Sequence, residues 1–244
     1  MYKIFLPVFC LLSFSVNAQF GKFQKKDSTK VNVIKSISDK FSGSSLSSDE
    51  IIAGLKEALS KGAIVSTDLL HKPNGYFGNA AIKILMPPEA EKVASSLRKA
   101  GMGSMVDKAI LSMNEAAEDA AGNVSQIFLS AIKNMSVADG VKILRGNNHA
   151  ATDYLKSNTF NELSLQMKPV IEASLQKVNA TQYWETVFNA YNKFSLNKVN
   201  PDLTSYVLQK ALDGLFYSIA LEEEKIRENP AERTTDLLKK VFAK

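Results

Sequence analysis

Cysteine is nearly absent from this chain: Cys10 is the only one in 244 residues, beside one tryptophan and two histidines, His71 and His149. Each scarcity removes a class of chemistry. A lone cysteine closes no intrachain disulfide, and thiolate zinc sites need several. The two histidines lie far apart, without the spacing of a His-Glu-x-x-His zinc helix. The glycines form neither a phosphate-binding Gly-x-x-x-x-Gly-Lys-Ser/Thr loop nor a dinucleotide fingerprint, and no Gly-x-Ser-x-Gly nucleophile elbow is present. Past residue 18, no run approaches the roughly 20 apolar residues of a bilayer span. The net charge of +5 owes much to Lys22, Lys25, Lys26 and Lys30. The remaining body is nearly balanced, which argues against a nucleic-acid footprint.

What is present begins with Met1-Tyr2-Lys3 and an apolar run from Ile4 to Val16, ending Val16-Asn17-Ala18 before Gln19. A basic start, a short apolar core and small residues at its end make residues 1–18 a secretory signal peptide, cleaved between Ala18 and Gln19. A buried N-terminal helix is the alternative. Cys10 follows Phe9, whereas a lipid-modified cysteine follows a small residue, so the pattern argues against a lipoprotein. Cleavage removes Cys10, leaving an exported chain without disulfides that must be held by its apolar core. Residues 19–46 are expected as a flexible Lys/Ser-rich segment. Within it Val31, Ile34, Ile37 and Phe41 keep a weak helical spacing. Its lysines suit either a solvated arm or attraction to an anionic surface.

Residues 47–244 are expected to form a single all-α domain, a compact bundle of about nine or ten helices. Its organising element is a helix from Asn200 to Asn229, read with Asn200 as cap and Pro201 at the first helical position. Leu203, Val207, Leu208, Ala211, Leu212, Leu215, Phe216 and Ile219 cover roughly 220° of that helix at about 100° per residue. A surface helix needs a stripe of only about 100°, so this one is a central post packed from several sides. Ser47-Ser48-Asp49-Glu50 is a capping box opening a helix that carries Ile51, Leu55, Ala58, Leu59, Val65 and Leu69 on one face. Pro73 and Asn74-Gly75 end it. Residues 74–87 read as one extended, non-helical loop, with Ile82 and Ile84 alternating around Lys83. Pro88 then starts a series of helices: 88–100, 104–121 with Met105, Ile110, Leu111 and Met113 inward, 123–135, one from Ser136, 148–157, 159–178 with Pro169 inside, 182–194, and a last one from Thr235.

Candidate functional residues follow from this layout. Tyr206, Gln209, Lys210, Asp213 and Tyr217 share the polar arc of the central helix, where Lys210 and Asp213 are spaced to pair. That arc is either the wall of a cleft or a solvated flank. Loops held by rigid helices often carry function, which adds Tyr76 and the neighbouring His71. Asp153 lies near a helix start, where a carboxylate complements the helix dipole. Glu222, Glu223, Glu224 and Lys225, followed by Arg227, Glu228, Glu232 and Arg233, read as a solvated helix end, with a cation or basic-partner site as the alternative. No residue is assigned as catalytic, and no metal or cofactor is expected.

Four blocks together resemble a known family. They are Asp49–Leu59, Gly75-Tyr76-Phe77-Gly78-Asn79, Lys210–Tyr217 and Arg233-Thr234-Thr235-Asp236-Leu237-Leu238-Lys239-Lys240-Val241-Phe242. The resemblance is to an exported bacterial family catalogued as domain of unknown function 4197, and it spans about Leu46 to Phe242. One departure is Ala80, where the family pattern has proline. The resemblance implies a helical, exported protein without an assigned activity, so no catalytic residue is carried over. The leader ending Asn-Ala before Gln resembles those of Bacteroidota-type Gram-negative bacteria, which implies the periplasm or the space beyond the outer membrane. Three function classes follow. The first is an envelope binding module for a protein partner or a small apolar ligand. The second is an enzyme using Asp153, Asp213 or Tyr217 with His71 in a cleft. The third is an envelope partner docked through the Lys-rich arm.

Overall fold

The capping box at Ser47 opens the first helix. In the computed structural model, which describes residues 47–122, 124–193 and 202–242, the Glu50 N–H donates to Ser47 Oγ at 3.2 Å. The Ser47 N–H donates to the Glu50 carboxylate at 2.7 Å. Nine α-helices follow among the described residues: α1 (Ser48–His71), α2 (Pro88–Lys99), α3 (Gly103–Ala121), α4 (Ser125–Lys133), α5 (Val137–Arg145), α6 (Ala150–Lys177), α7 (Ala180–Asn192), α8 (Leu203–Glu228) and α9 (Asp236–Val241). A 3-10 turn, Pro230–Glu232, joins the last two. The expectations for residues 1–46 lie outside the described residues.

The central helix is α8. Its cap is Asp202 rather than Asn200: the Ser205 N–H and Oγ donate to the Asp202 carboxylate at 3.1 and 2.6 Å. Those bonds hold the carboxyl below its usual range. Leu203, Val207, Ala211, Leu212, Leu215, Phe216 and Ile219 are buried, and α1, α3 and α6 pack around them. Each such leucine, isoleucine or phenylalanine contributes about 2 kcal/mol of burial. Phe128 of α4 meets Phe216 edge-on, with ring centroids 5.9 Å apart.

Three local expectations are corrected. Residues 148–157 and 159–178 form one helix, α6. The polar run Ser157-Asn158-Thr159 is absorbed into it, because these side chains donate back to the carbonyls of Tyr154 and Leu155. Hydroxyls that read as a break thus spend themselves inside the helix. On α1, Val65 and Leu69 face outward, while Ala63, Ser66 and Leu70 take the buried positions. On α3, Leu111 is exposed, and the inner face is Val106, Ala109, Met113, Ala116, Ala117 and Ala120. Small side chains there let α3 lie close to its neighbours.

The charged end of α8 is likewise not a solvated tip. Glu223 is buried and caps a different helix: the N–H groups of Ala151 and Thr152, and the Thr152 hydroxyl, donate to its carboxylate at 2.8–2.9 Å. Arg227 pairs with it at 2.8 Å and also donates to the Ile143 carbonyl at the end of α5. Arg233 is buried as well, donating to the Ile226 and Arg227 carbonyls that α8 leaves unpaired at its C-terminus. Glu223→Ala strands Arg227 and the first N–H groups of α6. It should cost about 3–5 kcal/mol in urea unfolding, the loss typical of a broken buried pair. Glu224→Ala, one residue on, should stay within about 0.5 kcal/mol.

Candidate functional site

The site is built on the longest non-helical stretch among the described residues. After α1 the chain turns at Asn74, whose φ of 66° is a left-handed conformation that asparagine tolerates. From there to Pro87 no helix supplies hydrogen bonds, yet Tyr76, Ile82, Ile84 and Met86 are buried. Buried backbone groups need partners. Two residues of α3, one turn apart, provide them. Glu118 accepts from the N–H groups of Asn74, Tyr76 and Phe77 at 3.2, 3.1 and 3.1 Å. Asn114, fully buried, accepts from the Ile84 N–H at 2.9 Å and donates to the Ile84 carbonyl at 2.8 Å. The turn at residues 79–83 is closed by Asn79. Its carbonyl accepts from the Ile82 and Lys83 N–H groups, and its side chain from the Ala81 N–H.

The far side of the stretch leans on α8. The Tyr76 hydroxyl donates to the Ala211 carbonyl and the Tyr206 hydroxyl to the Leu85 carbonyl, each at 2.8 Å. Ile82, Ile84 and Met86 point inward while Lys83 and Leu85 point out, the two-residue period of extended backbone. Between this segment and α8 runs a groove of about 400 Å³. One wall is Ile82, Lys83 and Leu85; the other is Tyr206, Lys210, Asp213 and Tyr217; Pro88 and Glu91 of α2 close the end. A second hollow of about 310 Å³, lined by Ala94, Arg98, Val106 and Ile110, begins on the other side of Leu85. Leu85, 53% exposed, stands as a ridge between the two.

Four residues of the polar arc, Tyr206, Lys210, Asp213 and Tyr217, thus meet in one cleft wall. The expected Lys210–Asp213 pair does not form. Asp213 accepts instead from Gln209 Nε2 at 3.0 Å, and Lys210 has no ion-pair partner among the described residues. His71, Tyr76 and Asp153 lie elsewhere. His71 Nδ1 donates to the Glu118 carbonyl at 2.9 Å, joining the ends of α1 and α3. Tyr76 lies under the groove floor with no solvent exposure, and burial pushes its phenol far above the ordinary value of 10.0. Asp153 is exposed on the first turn of α6, where Glu223 does the capping. Asp213 and Tyr217 share the groove without bonding one another, and neither His71 nor Asp153 joins them. Among the described residues no three His, Asp or Glu side chains are grouped to hold a metal ion.

Sequence reasoning missed Asn114 and Glu118, the residues that hold the segment, and Glu91 at the groove's end. A signal existed for the first two: both are polar, four residues apart, beside the alanine face of α3. Lys83, noticed only as a loop residue, places its ammonium 3.6 Å over the Phe77 ring, a cation–π contact that props the outer wall.

Fold and groove together define an all-α bundle protein that presents a polar-walled groove built on a clamped, non-helical segment. The chain belongs to the family described as protein of unknown function (DUF4197), whose model matches residues 45–243. No curated protein and no solved structure matches it.

Gly214 is the tight point of the site. A Cβ there would stand 2.6 Å from Tyr76 Cε1, so Gly214→Ala should lower stability by about 1–3 kcal/mol, the range for overpacking. Asp213→Ala, exposed one residue away, should change it by less than about 0.5 kcal/mol. Tyr76→Phe removes one buried hydrogen bond, worth about 1 kcal/mol at neutral pH. Because folding raises the Tyr76 pKa, the wild-type advantage is complete below the ordinary value of 10.0 and declines as pH rises above it. Urea titrations of both proteins between pH 7 and pH 11 would show the difference shrinking; a constant difference would contradict the assignment.

Proposed function

We propose that the protein is an exported binding module of the bacterial envelope whose groove between residues 82–88 and α8 receives a segment of a protein partner. The observation that carries this reading is the lining. Lys83, Glu91, Lys210 and Asp213 stand among Leu85, Met86 and two tyrosines. A small apolar ligand would desolvate those charges without compensation, whereas a polypeptide brings backbone and side-chain partners for them. Tyrosines over an apolar base, ringed by charge, are the usual composition of a recognition surface. Export is supported by the pattern of residues 1–18, and the family carries no assigned catalytic chemistry against which to set the reading. No helix among the described residues is long and apolar enough to cross a membrane.

Site-specific photo-crosslinking in the native cells tests this. A benzoylphenylalanine at position 217, in the groove, should give a discrete crosslinked species that disappears with Lys210→Glu. The same probe at the exposed Leu165 on α6 should not give it. Identical products from both positions, or none from 217, would sink the proposal.

A further inference from the structure

Resting on that reading of the groove, we infer that its occupant is an extended polypeptide segment that adds to residues 83–85 as a parallel β-strand, through the Lys83 carbonyl and the Leu85 N–H. The argument starts from the Asn114 clamp. In extended backbone, successive residues turn their N–H and C=O groups to opposite sides. Asn114 holds both groups of Ile84 on the inner side, so those of Lys83 and Leu85 face away from it, toward α8 and the groove. Two of these four outward groups are used: the Lys83 N–H donates to the Asn79 carbonyl, and the Leu85 carbonyl accepts from Tyr206. The other two, the Lys83 carbonyl and the Leu85 N–H, have no partner among the described residues.

Those two groups flank Ile84, and that is the pair a parallel strand uses. One residue of an incoming chain donates its N–H to the carbonyl before Ile84 and accepts at its own carbonyl from the N–H after it. Side chains alone do not require this arrangement, since the segment is fixed from behind by Asn114 and Glu118 and would be as stable with its edge in water. Strand addition to an exposed edge is an established mode of peptide recognition, with backbone bonds giving affinity and flanking pockets giving selectivity. Here the pockets lie on either side of the Leu85 ridge. Lys210, without an ion-pair partner among the described residues, faces the groove from the opposite wall and selects an acidic residue close to the bridging one.

The test uses the full chain and a displayed library of 12-residue peptides. The strongest selected peptide is synthesised, then remade with a single N-methyl group at each position in turn. Binding is followed by fluorescence anisotropy to wild type, Leu85→Pro, Leu85→Ala and Lys210→Glu. Leu85→Pro removes the N–H while leaving the acceptor of Tyr206 and the Asn114 clamp, and the extended Ile84 suits a following proline. It should weaken binding about tenfold, the scale of one lost hydrogen bond at the strong end. Leu85→Ala should weaken it less than about threefold, because the side chain is dispensable. One N-methyl position should abolish binding while its two neighbours are tolerated, a readout that does not depend on how any variant folds. A flat N-methyl scan, or equal losses from Leu85→Pro and Leu85→Ala, would overturn strand addition. If Lys210→Glu still weakens the peptide in that case, the groove reading survives. If no peptide is selected, or Lys210→Glu leaves binding unchanged, both fall.

Discussion

Everything at the groove depends on the hydrogen-bonding needs of the sixteen residues, 72–87, that make no helix between α1 and α2. A buried segment of this kind carries backbone donors and acceptors that water cannot reach, and each one left unpaired costs on the order of 1–3 kcal/mol. Asn114 and Glu118 answer that constraint from a single face of α3. An amide suits the position opposite Ile84, where one donor and one acceptor are required. A carboxylate suits the turn at 74–77, where three N–H groups converge. The two side chains are matched to the backbone they face, and neither could serve in the other's place.

The opposite end of the bundle meets an equivalent need with charge. α6 begins inside the molecule, and Glu223 supplies the acceptor that a local cap would ordinarily provide. Arg227 neutralises it, and Arg233 closes the C-terminus of α8. A buried carboxylate with four donors around it is held by geometry as much as by charge. α8 therefore carries a structural ionic network at its C-terminal end and the wall of the groove nearer its start, separated by about 15 Å of helix at 1.5 Å per residue.

Much of the architecture was legible because its signals are local. The capping box at Ser47, the helix starts at Ser136 and Pro88, the wide apolar arc of α8 and the alternation of Ile82 with Ile84 each rest on signals within a few residues. They set the helices and the extended segment where the sequence places them. The polar arc of α8 was visible for the same reason, though only the fold shows what stands opposite. Glu223, Arg233, Asn114 and Glu118 are different in kind. Their partners lie 72, 7, 30 and 42 residues away, and a charge whose partner is remote, or just past a turn, reads like one facing water. The false break before Thr159 had a third cause: hydroxyls that favour helix ends also satisfy themselves within a helix.

The contact between Gly214 and the Tyr76 ring works as an index mark for the whole assembly. Rotating or sliding α8 by one position would bring Asp213 or Leu215 under that ring, and neither leaves room for it. The hydroxyl of Tyr76 fixes the same helix from its other edge, at Ala211. Together they permit one register between the clamped segment and α8, so the width of the groove is set by the absence of a single side chain. A partner would meet a slot of constant gauge rather than a surface that adapts to it.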